Sequence, residues 1–159
     1  MKRKNIILAV SLLITGLLIG LLLYFLTAKD QPFFLDDQYY GTGSLIDIDN
    51  SRLNELEEGK DSFAVLVYQV STCGRANAYD FNQYVEEFLV ANKITFYQIM
   101  FFEIEGSKMA EHVKVCPSVV IYRDGQVEAF LDAVAAEDTD HYKSAEDFGK
   151  WFTSYVKLK

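Results

Sequence analysis

The sequence predicts an α/β protein whose mixed central sheet is flanked by helices and preceded by one N-terminal transmembrane helix. Two observations support this prediction. An uncharged apolar run opens the chain. The remainder alternates strand-like and helix-like segments before it closes on a hairpin and an amphipathic helix. With 159 residues, the chain has room for one domain and an accessory segment.

The apolar run at 6–26 is long enough to cross a membrane, because about 20 helical residues span a bilayer core of about 30 Å. Residues 1–5 form a basic tail that is expected to stay in the cytoplasm. We therefore expect a single-pass signal-anchor helix in the cell membrane and an extracytoplasmic C-terminal domain. A cleaved signal peptide is the alternative, but its apolar core is shorter, about 7–15 residues, and ends in small residues.

The acidic residues are concentrated behind this segment. Residues 30–159 hold 11 Lys and Arg and all 23 Asp and Glu, a net charge of −12, against −8 for the whole chain. Proteins that bind nucleic acid present a basic face, so this balance argues against a nucleic-acid partner.

The first half of the outer region alternates strands and helices. Residues 27–43 are predicted to form a tether or a loop packed on the domain, and the domain is predicted to cover 44–159. A short strand at 44–48 is followed by a helix that ends at Gly59. The apolar run at 63–70 is typical of a strand buried on both faces.

An amphipathic helix follows, then a strand at 95–104 and helical turns at 107–114. The inward face of this helix is predicted to carry Phe81, Tyr84, Val85, Phe88 and Leu89.

The end of the chain predicts a hairpin and a final helix. Strands at 119–122 and 127–131 flank an Asp-Gly pair, which favours a tight hairpin turn. Ser144 and Asp147 resemble a capping box that opens the last helix. The inner face of that helix is predicted to carry Phe148, Trp151, Phe152, Tyr155 and Val156.

The two cysteines are the chemical signal. Cys73 lies three residues after a buried strand and just before a helix, where unpaired N–H groups and the helix dipole stabilise a thiolate. Arg75 adds a nearby positive charge. Cys116 precedes Pro117, and a proline in such a run belongs at a strand start or in a cis turn.

The strand–Cys73–helix unit, the segment Val-Cys-Pro-Ser-Val-Val-Ile-Tyr-Arg-Asp-Gly at 115–125 and the closing helix resemble the thioredoxin superfamily. The resemblance covers 44–159 and implies a thioredoxin-like fold. It maps Pro117 onto the cis-proline beside the active site and Cys73 onto the nucleophilic cysteine, and it places Cys116 against that sulfur. It also implies that substrate is bound by residues beside these positions, namely Thr72, Arg75, Val115 and Pro117.

Three positions depart from the family pattern. Ala76 replaces the second motif cysteine, Thr72 stands where thioredoxins carry Trp, and Val67 occupies the position of the buried acid. An ordinary two-thiol cycle inside the motif is therefore impossible.

Three interpretations of the cysteines remain open. The first is a redox pair in which Cys73 is the nucleophile and Cys116 the resolving thiol. The second is a structural disulfide, or two inert thiols. The third is a metal site that adds His112, which is weak because zinc requires three or four ligands. We therefore expect no metal and no cofactor.

The leading hypothesis is a membrane-anchored thiol–disulfide oxidoreductase or isomerase that acts on exported polypeptides. Its partners are expected to be an exported polypeptide client or a membrane-bound redox partner. In its anchor and size the chain is also similar to bacterial accessory thioredoxins that help mature secreted bacteriocins. The alternative is a redox-inactive binding or assembly module at the membrane surface.

Overall fold

The computed structural model describes residues 16–17, 31–69 and 78–159. Almost all of the predicted span at 6–26 and the segment around Cys73 lie outside these residues. The chain divides into two units, Met1–Pro32 and Phe33–Lys159, and every strand and helix named below belongs to the second. Within the described residues, no helix has the length and apolar character needed to span a bilayer. The transmembrane helix therefore stays a prediction.

A five-stranded mixed sheet forms the centre of the second unit, which confirms the predicted sheet type. The strands are β1 (Leu45–Asp47), β2 (Ala64–Tyr68), β3 (Phe96–Met100), β4 (Ser118–Arg123) and β5 (Gln126–Phe130). They lie in the order β1-β3-β2-β4-β5. The first three are parallel, β4 runs antiparallel to β2, and β5 runs antiparallel to β4. Because β2 is central, four of its five residues are buried.

Three α-helices accompany the sheet, close to their predicted positions. They are α1 (Asn50–Gly59), α2 (Ala78–Asn92) and α3 (Ala145–Tyr155). The predicted cap of α3 is present, since Ser144 Oγ accepts a hydrogen bond of 3.1 Å from the backbone N–H of Asp147. Asp49 caps α1 in the same way, accepting from the N–H of Arg52 at 2.8 Å.

The hairpin turn between β4 and β5 is the predicted Asp-Gly turn. Asp124 and Gly125 both have positive φ, 52° and 69°, as a tight turn that matches strand twist requires. At Gly125 an added Cβ would lie 2.2 Å from the carbonyl oxygen of Glu57, so only glycine lets the turn approach α1 this closely.

Two predicted elements differ from the structure. The strand expected at 95–104 ends at Met100 and continues as a 3-10 turn over Phe101–Glu103. Met100 pairs with Tyr68, the last residue of β2. Beyond Met100, β2 offers no further residue for β3 to pair with. The helical turns expected at 107–114 shorten to a 3-10 helix over Lys108–Glu111.

Residues 33–43 pack against the rest of the second unit. Leu35 and Tyr39 are each 2% exposed. The backbone N–H of Asp36 donates to Ser62 O at 2.9 Å, and the N–H of Thr95 donates to Tyr39 O at 2.8 Å. Burial and backbone pairing therefore begin at residue 33, ahead of β1.

The helices cover both faces of the sheet. Neighbouring strand residues point to opposite faces. Phe96 packs its ring 5.1 Å from that of Phe152 in α3, whereas Tyr97 packs 5.5 Å from Tyr39 on the other face. The α1 face also holds Tyr122, whose ring stacks 4.4 Å from Phe63. Aromatic side chains thus fill the core on both sides of the sheet.

Candidate functional site at the Cys116–Pro117 turn

Sheet register places Cys116 at one end of the central strand. Ser118, the first residue of β4, pairs with Val67 near the end of β2. Cys116 and Pro117 therefore stand beside Tyr68 and the residue that follows it, where the chain leaves β2 towards 70–77. We call this end of the sheet the cysteine end: the carboxyl ends of β1, β2 and β3, the start of β4 and the end of β5.

The Cys116–Pro117 peptide bond is cis, as the family resemblance implied. Tyr142 holds the turn from the α3 side, because its hydroxyl donates to Pro117 O at 3.0 Å in a buried position. Its ring packs 4.2 Å from Phe81 of α2. On the β5 side, Ser118 Oγ donates to Leu131 O at 2.6 Å. The turn is therefore fixed by side chains from both neighbouring elements.

Cys116 is disulfide-bonded and 2% exposed. Oε1 of Gln69, the residue after β2, lies 3.7 Å from its sulfur. A disulfide sulfur carries no proton, so only an N–H of the Gln69 amide could donate across this contact. The site thus combines an enclosed sulfur, a fixed turn and a polar side chain beside the sulfur.

Solved structures identify the fold around this turn. No family model matches the chain, and no curated protein matches it. Among solved structures it is similar to a mutant thioredoxin from Halobacterium salinarum NRC-1, with 16% sequence identity and a TM-score of 0.51. The match covers 75% of this chain and 97% of that thioredoxin. The fold is thioredoxin-like. At this identity the similarity establishes the fold and nothing about activity.

The structure describes some of the predicted site residues of this thioredoxin-like domain and not others. Pro117 is buried and Val115 is half-buried next to Cys116. Cys73, Thr72 and Arg75 lie outside the described residues. The structure therefore shows the proline side of the predicted site.

The metal interpretation gains no support from the described residues. The ring of His112 packs 5.3 Å from that of Phe130, and its side chain is exposed. Across residues 31–69 and 78–159, no three His, Cys, Asp or Glu side chains form a group that could hold a metal ion.

A polar cluster at the cysteine end was not predicted. Asp47 Oδ1 accepts hydrogen bonds from Tyr68 Oη at 3.1 Å and from Gln98 Nε2 at 2.9 Å. Burial, and then the bond to Asp47, raise the pKa of Tyr68 above its ordinary value. The members of the cluster come from three different parallel strands, so sheet topology brings them together. No sequence motif predicts such a cluster.

Tyr142 was also missed by sequence reasoning. It lies in a 3-10 helix at Thr139–Tyr142, a segment without apolar periodicity. The signal available was one aromatic residue in a polar stretch, two residues before the cap of α3.

Proposed function

We propose that this chain is a membrane-anchored, extracytoplasmic thioredoxin-like protein that exchanges disulfides with exported polypeptides. The observation that carries the proposal is the disulfide-bonded state of Cys116 in the turn before Pro117. A disulfide at this turn of a thioredoxin-like fold lies where a resolving sulfur is needed.

The partner of Cys116 is proposed to be Cys73. The sequence contains two cysteines, so within one chain no other partner exists. Gln69 lies only four positions before Cys73, and its amide contacts the Cys116 sulfur at 3.7 Å. The short connection from Gln69 allows Cys73 to approach Cys116 closely enough for a disulfide, which needs Cα atoms within about 7 Å, and so supports this pairing.

The burial of Cys116 supports the proposed division of roles between the two cysteines. A client disulfide is bulky and reacts with an accessible sulfur. Cys116 is 2% exposed and cannot meet such a client directly. Cys73 is therefore the proposed nucleophile, and Cys116 the resolving thiol.

The exchange is balanced in two steps. The Cys73 thiolate attacks one sulfur of a client disulfide, which forms a mixed disulfide and releases the other client sulfur as a thiolate. The Cys116 thiolate then attacks the Cys73 sulfur, which forms the Cys73–Cys116 disulfide and releases the second client thiolate. The client gains two electrons and the protein loses two. A dithiol reductant at the membrane restores the protein pair.

The location is proposed from the sequence. The uncharged run at 6–26 and the basic tail at 1–5 support a single-pass anchor with an outer domain. The oxidising space outside the membrane permits the disulfide. Exported polypeptides are the clients available there.

The second candidate function is a redox-inactive binding or assembly module. Val67 favours it, because a fully buried apolar side chain occupies the position that the resemblance gives to a buried acid. In this case the disulfide only stabilises the turn, and the surface beside Pro117 binds a partner without thiol–disulfide exchange.

The test is mixed-disulfide trapping with the full-length protein in detergent. Cys116→Ser removes the resolving thiol and should accumulate a mixed disulfide with a disulfide-containing model polypeptide. Cys73→Ser is the matched control and should accumulate none. Equal trapping by both variants would contradict the exchange function and favour the binding module. The same conclusion follows if neither variant traps the polypeptide although the disulfide of the wild-type protein can be reduced.

Topology needs its own measurement. Protease added to protoplasts should digest residues 30–159 and leave a membrane-protected N-terminal fragment. Protection of the acidic domain would overturn the proposed orientation.

A further inference from the structure

The two ends of the second unit lie side by side. The backbone N–H of Phe33 donates to Tyr155 O at 2.9 Å, and the N–H of Lys157 donates to Phe33 O at 2.7 Å. Tyr40 Oη adds a bond of 2.9 Å to Lys157 O. We call residues 33–40 and 155–159 the terminal seam.

The terminal seam presents an exposed aromatic ring with two ammonium groups close to it. Phe34 is 48% exposed, although it is large and apolar. Lys157 Nζ lies 5.5 Å and Lys159 Nζ 5.6 Å from the centre of its ring. Lys159 Nζ also lies 4.5 Å from the ring of Tyr40. These distances are typical of cation–π contacts.

The terminal seam contains two acidic residues. Asp36 Oδ2 accepts a hydrogen bond of 3.1 Å from the backbone N–H of Ser62, and Asp37 forms an ion pair with Lys159. The Asp37 side chain is 95% exposed and that of Lys159 is 38% exposed. Exposed ion pairs are weak and exchange readily with other anions. Lys159 can therefore leave Asp37 for a phosphate.

The terminal seam lies at the end of the sheet opposite the cysteine end. Asp36 bonds to Ser62, which precedes β2, and Tyr39 bonds to Thr95, which precedes β3. Cys116 lies beside the other end of β2. The five residues of β2 separate the two ends by about 13 Å, at about 3.3 Å per residue.

The terminal seam begins shortly after the predicted anchor along the sequence. Phe33 follows Leu26, the last residue of the predicted span, by seven positions. Seven residues reach at most about 24 Å even when fully extended. If 6–26 spans the bilayer as proposed, Phe33 is held within that reach of the hydrocarbon boundary.

We propose that the terminal seam binds an anionic phospholipid surface, with Phe34 at the headgroup level and Lys157 and Lys159 meeting lipid phosphates. The proposal rests on the membrane anchoring argued above. Aromatic side chains concentrate at the membrane interface, and lysines near it are attracted to anionic lipid. The rest of the domain, which is strongly acidic, is repelled by the same surface and turns away from it.

This placement determines the side from which clients approach the cysteines. With the terminal seam on the membrane, the cysteine end faces the aqueous space, so clients reach Cys116 and its partner from solution and not along the bilayer plane.

The test uses the full-length chain in lipid nanodiscs that carry a lipid-bound fluorescence quencher. Phe34→Trp reports on the terminal seam, and Phe102→Trp, 65% exposed after β3, is the matched control at the cysteine end. Trp151 is 6% exposed, and its signal is subtracted using the wild type. In discs containing phosphatidylglycerol, we expect strong quenching of Phe34→Trp and little quenching of Phe102→Trp.

Three outcomes overturn the proposal. They are unquenched Phe34→Trp, equal quenching of the two variants, and quenching that is unchanged between phosphatidylglycerol and pure phosphatidylcholine discs. Adding Lys157→Gln and Lys159→Gln should reduce the quenching in anionic discs only. Co-elution of the chain with the discs is scored separately. Failure to co-elute refutes the anchoring itself, whereas co-elution without quenching refutes only the role of the terminal seam.

Discussion

The two ends of the sheet are built differently. At the end opposite Cys116, both oxygens of a buried carboxylate, that of Glu57, accept hydrogen bonds. At the cysteine end, hydrogen bonds hold the Cys116–Pro117 turn, but Phe102 and Val134 remain 65% and 68% exposed. Contiguous exposed apolar surface is typical of a binding region. The comparison indicates that the end opposite Cys116 stabilises the fold through a buried polar network, although the terminal seam there also leaves Phe34 exposed, and that large apolar side chains at the cysteine end are left free to interact.

The stabilising end is organised around Glu57, which is 5% exposed. Its Oε1 accepts 2.7 Å and 3.1 Å hydrogen bonds from Tyr122 Oη and from the backbone N–H of Lys108. The Lys108 ammonium donates to Gly125 O at 2.6 Å. A buried carboxylate is tolerated only with such partners, so this network ties α1, the 3-10 helix and the hairpin together.

The largest expected effect is loss of this network. Glu57→Ala should lower the free energy of unfolding by about 3 kcal/mol, because the Tyr122 hydroxyl and the Lys108 N–H lose a charged acceptor while buried. Glu58→Ala is the control, since Glu58 is exposed, and should change it by about 0.5 kcal/mol or less. Urea unfolding followed by circular dichroism measures both. Similar losses in the two variants would show that the network does not stabilise the fold.

The network also predicts that the free energy of unfolding depends on pH in the alkaline range. Burial first, and then the hydrogen bond to Glu57, raise the pKa of Tyr122 above its ordinary value. Below about pH 10 the phenol is neutral in both states, so its contribution is fully present. Above that pH only the unfolded state loses the proton, and stability should fall by about 1.4 kcal/mol per pH unit.

Tyr122→Phe should remove that part of the slope. A residual slope is expected from Tyr39, Tyr40 and Tyr68, because the pKa of each is also raised, mainly by burial. Denaturant midpoints between about pH 9 and about pH 11, on either side of the ordinary tyrosine pKa, test this. An unchanged slope in Tyr122→Phe would mean that the Tyr122 hydroxyl is not protected in the folded state.

The third effect is at the cysteine end. Tyr142→Phe leaves the buried Pro117 carbonyl without its donor and should cost about 1–2 kcal/mol. Because Pro117 O belongs to the turn that follows Cys116, the variant should also change how fast a reductant opens the disulfide. Asp140→Ala, an exposed position in the same 3-10 helix, is the control and should leave the reduction rate unchanged. If Tyr142→Phe affects stability alone, Tyr142 only supports packing.

Local features were predictable, whereas partners distant in sequence were not. The Asp124–Gly125 turn and the Ser144 cap depend on neighbours within a few residues, and the structure confirms both. The end of β3 depends on where β2 ends, which no local pattern contains. The fold followed from periodicity and resemblance, although β3 and the helical turns after it are shorter than predicted.

Glu57 shows why the buried hydrogen-bond network could not be predicted from the sequence. In the sequence it lies in an acidic stretch of α1 that is typical of a solvated face. Its acceptor role appears only when Lys108 and Tyr122, 51 and 65 positions away, fold against it. The cis bond at Pro117 was predictable from a motif, whereas the contacts of Tyr142 and Gln69 appear only in the tertiary structure.

The smallest effect on stability is expected where apolar surface is exposed, and it sharpens the comparison most directly. Phe102→Ala should change the free energy of unfolding by about 0.5 kcal/mol or less, because a side chain that is 65% exposed packs little. Phe96→Ala, in the same strand region but fully buried, should cost about 3–5 kcal/mol. If exposure at the cysteine end serves clients, Phe102→Ala in the Cys116→Ser background should also reduce trapped mixed disulfide. Unchanged trapping would leave the exposed ring without a part in client binding, and a large loss of stability would show that the cysteine end is as tightly built as the opposite one.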